Sequence, residues 1–248
     1  MDYAQARLQA RFGERPDESL WRMLENAGEP AVLLEIAGAC SLRRWIAGIG
    51  ASSESHTIEI ALRARWRDCV AEVTSWMPRA WQPATEWTRQ LADLPALCHL
   101  ARGEALLAWM SRDPVLQPYA LAEADARETK LKQDALAFVG PLWPALKAPV
   151  SASFESKVRR AWHEEWRRRW PGKSEAGALD GLAMLLESGA TRPSTSRELL
   201  HRLRILFRRS TLSPAVAFVF LAFVALDIAR LRAALLKHAL LRDPGLAS

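Results

Sequence analysis

The chain has 248 residues, 50% of them hydrophobic, and carries 34 Lys and Arg against 28 Asp and Glu, a formal net charge of +6. These values exclude a disordered or fibrous chain and allow one large domain or two modest ones with a sizeable core. Cys40, Cys69 and Cys98 are widely spaced with no CxxC pair, which excludes a disulfide scaffold and predicts reduced thiols in a cytosolic setting.

Residues 2–12 read as a short helix ended by Gly13, and Asp2, Tyr3, Gln5 and Arg7 give no apolar segment suited to a signal peptide. Pro16-Asp17 opens a second helix through Leu20, Trp21 and Leu24. Glu29-Pro30 opens a third through Leu33, Leu34 and Ile36, and 41–49 is a fourth short apolar segment. After a loop at 48–55, the spacing predicts a helix over 56–76 that buries Ile58, Leu62, Trp66 or Cys69, and Val73. Met77-Pro78 ends it, since the residue before proline is pushed out of helical geometry. Pro83 starts a helix through Trp87 and Leu91, which Pro95 bends or divides. Prolines between 112 and 118 mark a connection, so a first helical lobe is placed at 1–112 and a second at 113–248.

In the second lobe, 121–138 reads as a charged helix, and Pro141, Pro144 and Pro149 give an extended segment. Ser153 caps a helix over 154–170 with Trp162, Trp166 and Trp170 at four-residue steps, stopped by Pro171-Gly172. Residues 175–187 form a further helix, and Thr195-x-x-Glu198 is a capping box leading into 199–209; together 172–209 reads as an insertion. The last element is the longest, with Ser213 as cap, Pro214 at the first helical position and no Gly or Pro up to Arg242. Residues 215–226 are apolar on every face, whereas beyond Asp227 the apolar Ile228, Leu231, Leu235 and Ala239 alternate with Arg230, Arg232 and Lys237. The uncharged run 210–226, at 17 residues, is at the lower edge of a bilayer span and includes Ser210, Thr211, Ser213 and Pro214. The expectation is a helix buried all round in its first half and on one side in its second. No stretch shows sustained period-two alternation, so the expected class is all-α, with Trp66, Trp87, Trp162, Phe220, Val224 and Leu231 in the core.

Two segments echo earlier ones. Residues 87–102 align without a gap on 221–236, matching Asp93 with Asp227, Leu94 with Ile228 and Leu97 with Leu231. Ile58-Glu59-x-x-Leu62-Arg63-x-x-Trp66 likewise matches Phe154-Glu155-x-x-Val158-Arg159-x-x-Trp162. Both pairs run in the same order, which suggests duplication of a helical lobe.

Catalytic motifs are missing. His56, His99, His163, His201 and His238 are scattered, and none pairs with another at the spacing of a helical metal site. His163-Glu164-Glu165 matches the start of a zinc-protease helix, but Arg167 stands where the second His would fall. Gly172-Lys173-Ser174 matches the end of a phosphate-binding loop, yet Arg167 also replaces that motif's first Gly. No enzyme activity, cofactor, metal or small-molecule substrate is therefore expected. What remains is basic charge: from Arg192 onward there are ten Lys and Arg against three Asp and Glu. Arginines 159, 160, 167, 168 and 169, and Arg202, Arg204, Arg208 and Arg209, interleave with Trp and apolar residues. The plain interpretation is a solvated helix face over a Trp-lined core. The functional one is a surface for a partner protein or anionic lipid, with nucleic acid the least expected; Arg202, Arg204, Arg208, Arg209, Arg230 and Arg232 are its candidate residues.

The chain resembles the C-type, or d-type, subunit of V-type and A-type rotary ATPases. The resemblance rests on the opening Tyr3-Ala4-Gln5-Ala6-Arg7-Leu8-Gln9-Ala10-Arg11, on Ile58-Glu59 and Phe154-Glu155, and on Asp227-Ile228-Ala229-Arg230-Leu231-Arg232 with Asp93-Leu94-Pro95-Ala96-Leu97. Pro95 or Ala229 stands where the family has Asn, and a third lobe is missing, so this would be a shortened member. The resemblance implies a non-catalytic, funnel-like adaptor of two related helical lobes, peripheral on the cytoplasmic face of the membrane. It would couple central-shaft subunits to the membrane rotor ring during ATP-driven ion or proton transport. The alternative is an all-helical regulator that binds protein or nucleic acid through its basic C-terminal quarter.

Overall fold

A computed structural model describes residues 1–140, 143, 153–172, 174–190 and 196–242. Among them the chain is all-α, with no strand. The helices are α1 (Asp2–Gly13), α2 (Glu18–Glu25), α3 (Pro30–Gly38), α4 (Ser55–Trp76), α5 (Gln82–Trp87), α6 (Leu94–Ala101), α7 (Gln117–Ala120), α8 (Ala124–Gln133), α9 (Ser153–Arg168), α10 (Ala176–Ala190), α11 (Ser196–Arg209) and α12 (Ala215–Arg242). Short 3-10 turns at Ser41–Arg44, Arg79–Trp81 and Thr88–Ala92 join them.

Helix ends follow local chemistry. Asp17 caps α2 by accepting from the Leu20 amide at 2.8 Å, and Met77, extended ahead of Pro78, closes α4. Pro95 divides its region: it lacks an N–H, fits only in a first turn, and so begins α6 after a break at Asp93. The expected helix over 121–138 is confined to α8, because Asp134 leaves helical geometry. The segment 41–49 contributes only one 3-10 turn. The Thr195 cap and Pro141, Pro144 and Pro149 lie outside the described residues.

The chain divides into two compact units, one comprising Met1–Glu86 with Pro171–Ser248 and the other Trp87–Trp170. The boundary expected near 112 thus falls inside the second unit. The first unit is built on α12, which packs most extensively on α4 and also on α1, α3, α10 and α11. Helices from both ends of the sequence are drawn together because every residue from Ala215 to Val224 is buried. Burying Phe218, Phe220 and Phe223 is worth about 1.5–3 kcal/mol each relative to exposure. Phe12, Phe207 and Phe223 form one ring cluster, with Phe12 stacked on Phe207 at 4.3 Å and meeting Phe223 edge-on at 5.0 Å. Ala225 is the first exposed position, and beyond it Leu231, Ala234, Leu235 and His238 stay inside while Arg232, Ala233 and Lys237 face solvent.

The turn from α11 into α12 holds Leu212 at φ 62, left-handed geometry disfavoured for a side chain of this size. Its amide donates to Oε1 of Gln5, itself only 5% exposed, at 3.0 Å. Ser213 then caps α12, its hydroxyl accepting from the Ala215 amide at 3.1 Å and donating to Glu175.

In the second unit α6 packs on α8 and α9. Trp162 stacks on Trp166 at 5.9 Å and lies parallel to Trp87 at 6.4 Å; the Trp87 indole N–H donates to the Trp162 carbonyl at 3.2 Å. Trp87 is half-buried, not enclosed as expected, and one of its faces is covered by the Arg169 guanidinium at 3.8 Å. Trp66, Trp162, Phe220, Val224 and Leu231 are buried.

The echoed segments are sorted by packing. α4 and α9 repeat one pattern, burying Ile58, Leu62 and Trp66 in one and Phe154, Val158 and Trp162 in the other. Residues 87–102 and 221–236 do not match in form, since the first is a 3-10 turn plus a short helix and the second part of one long helix. Within the first unit α4 packs on α12, and within the second α9 packs on α6. Each unit therefore holds one member of each echoed pair, but the pairing crosses the expected lobes.

Candidate partner-binding surface

α11 is amphipathic. Leu199, Leu203 and Phe207 recur at four-residue steps and are buried, and α11 packs on α10 and α12. The opposite face exposes Arg197, Arg202, Arg204, Ile205, Arg208 and Arg209. Arginine is a strong helix former, and Arg208 and Arg209 in the last turn complement the negative end of the helix dipole. Arg202 pairs with Glu198 one turn back. Arg204, Arg208 and Arg209 have no ion-pair partner among the described residues.

Arg230 and Arg232 behave differently and do not join that face. Arg230 donates to Glu25 at 2.9 Å and Glu18 at 3.0 Å, and its guanidinium lies 4.7 Å from the Trp21 ring. The Arg230 bond holds the Glu18 carboxyl below its ordinary range. Arg232 pairs with Glu59 of α4. Both arginines fasten α12 to neighbouring helices, so four of the six candidates lie on α11 and two act inside the first unit.

Sequence reasoning identified Asp227 but not its partner. Arg15, just past α1, grips Asp227 with a two-pronged fork at 2.6 and 2.8 Å and stacks 4.3 Å from the Phe223 ring. Burial pushes the Asp227 carboxyl above its ordinary value even against this fork. Nothing in a single sequence links residues 212 positions apart.

A second cluster was also missed. Arg65, Asp68, Cys69 and Glu72 lie at helical spacing along α4, and Arg11 from α1 and Arg44 from the 3-10 turn converge on them. The Glu72 carboxylate accepts from Arg11 at 2.7 Å and Arg44 at 3.2 Å, and Arg65 meets Asp68 at 3.1 Å. Trp45 walls the cleft, with the Arg44 guanidinium 4.8 Å from its ring. Burial pushes the Cys69 thiol up to about 11, so it is neutral at physiological pH. The spacing of residues 65, 68, 69 and 72 was the available signal.

Among the described residues no group of three His, Cys, Asp or Glu is placed to hold a metal, and no helix is long and apolar enough to cross a membrane. No protein-family model, curated protein or solved structure matches the chain.

Proposed function

We propose that the chain is a non-catalytic adaptor of a V-type or A-type rotary ATPase, a shortened relative of the C-type subunit. It couples the central shaft to the membrane rotor ring, and the two-lobe, funnel-like body belongs to this proposal. The observation that carries it is the set of motif residues: Tyr3-Ala4-Gln5-Ala6-Arg7-Leu8 opening α1, Ile58-Glu59 near the start of α4, Phe154-Glu155 in the first turn of α9, and Asp227 to Arg232 in α12. An adaptor that transmits torque needs a stiff body, and close packing of buried Trp and Phe side chains resists deformation. It also needs surfaces for neighbours. The α11 arginines suit acidic ring loops, shaft carboxylates or lipid headgroups at the cytoplasmic face of the membrane. The test is affinity capture of the tagged chain from native membranes, with recovery of the ATPase head, shaft or ring subunits as the expected result.

A second reading is favoured by the same face, since Arg204, Arg208 and Arg209 lack ion-pair partners among the described residues. In it the protein is a helical regulator that binds nucleic acid through phosphate contacts. Such binding weakens steeply with salt as counterions are released. Titration with single and double strands at low salt, showing no shift, removes this reading.

A further inference from the structure

The cleft of about 400 Å3 lined by Arg11, Arg44, Trp45, Arg65, Asp68, Cys69 and Glu72 is unused by the reading above and does not depend on it. We propose that it receives a single carboxylate, from an acidic side chain or chain terminus of a polypeptide or from a small carboxylic acid. The residues lining the cleft include three guanidiniums and two carboxylates, Asp68 and Glu72, and the neutral Cys69 thiol adds nothing; Glu14, outside the lining, meets Arg11 only at 3.4 Å, so the cleft itself carries one positive charge in excess. A monoanion cancels that excess, whereas a phosphate dianion would overshoot it beside two carboxylates already in place.

Donors are available as well as charge. Each guanidinium offers about five N–H donors. Arg44 spends one on Glu72 at 3.2 Å, and Arg11 spends one on Glu72 at 2.7 Å and a longer one on Glu14 at 3.4 Å. The Arg65 Nε is buried with no hydrogen-bond partner among the described residues, a costly state that an incoming oxygen would relieve. The site is also built, because its three arginines come from separate elements, α1, the Ser41–Arg44 turn and α4. The Trp45 indole supplies an apolar wall for the carbon stem of the ligand.

The test is an NMR titration of the full chain, following the Trp45 indole resonance, assigned with Trp45→Phe. The probes are acetate and a blocked Gly-Ser peptide carrying one Glu, with the Gln version of that peptide as reference. Saturable shifts with both probes support a small-carboxylate site. Shifts with the Glu peptide alone support a polypeptide site. Arg65→Ala should weaken binding by about tenfold, since a charge-assisted bond is lost. Asp68→Asn, at a side chain that is 65% exposed and safe for folding, should tighten it by removing a competing charge. No shift with either probe, equal shifts with the Gln peptide, or affinities unchanged by both Arg65→Ala and Asp68→Asn would overturn the proposal.

Discussion

Asp227 and Arg15 pose the sharpest energetic question at the scale of single residues. The pair is nearly enclosed, with side chains 9% and 13% exposed, so solvation lost by both charges competes with the two-pronged bond. Burial is the larger influence on Asp227 and raises its pKa, so the carboxylate costs stability at neutral pH and the cost is relieved as pH falls. Replacing one partner still leaves the other buried and uncompensated. Asp227→Asn or Arg15→Met alone should therefore cost about 3 kcal/mol in urea unfolding. The double variant Arg15→Met with Asp227→Leu should recover most of that loss. Losses that simply add would show that the two charges are not coupled.

Glu18 has the opposite sign. Its carboxyl is held below the ordinary value of 4.5 by the Arg230 hydrogen bond, so the stability it brings is present above that value and lost as pH falls through the folded pKa. Arg230→Ala should flatten the acid limb of the thermal-stability profile. An unchanged limb would mean that the clamp on α12 carries no weight.

At the scale of elements, α12 is the longest helix and the one on which the first unit is assembled. Phe220→Asp or Val224→Asp should unfold that unit, because either buries an unpaired charge in the stretch enclosed on every face. Unchanged thermal stability would refute the buried-helix account. The turn before α12 makes a prediction of the other sign. Leu212 is 54% exposed and left-handed, so Leu212→Gly should give up little burial, release the steric strain and raise stability by about 0.5–1 kcal/mol in chemical denaturation.

These elements also show what could be read from sequence. The 215–226 run announced burial on every face, which holds as far as Val224 while Ala225 is exposed, and the Asp17, Met77-Pro78 and Ser213 signals placed helix ends within about two residues. Such signals are local. The fork between Arg15 and Asp227, the locking of Arg230 and Arg232, and the convergence of Arg11 and Arg44 on Glu72 depend on which helices meet, and local periodicity carries no trace of that. Trp87 was read as core, whereas it is half-buried with one face against Arg169, a neighbour set by the fold.

At the scale of the whole molecule, the chain combines two densely packed helical units with a basic face on α11. Each unit couples one helix of one echoed pair, α4 or α9, to one of the other, α12 or α6. Because 87–102 and 221–236 differ in form and the pairing crosses the expected lobes, the packing does not reproduce a lobe duplicated in tandem. The basic face is separable from the core beneath it, since Arg204, Arg208 and Arg209 are exposed while Leu203 and Phe207 carry the packing. Reversing those three charges to Glu should leave the melting temperature within a few degrees and weaken partner capture severalfold at physiological salt.

The adaptor reading is tested most directly by tagging the chain in its native cell, solubilising the membranes mildly and identifying what copurifies. The account predicts ATPase shaft and ring subunits in amounts comparable to the tagged chain, falling sharply in the Arg204, Arg208 and Arg209 charge-reversed variant. Intact tagged chain recovered with no head, shaft or ring subunit, from membranes in which those subunits are present, would contradict it.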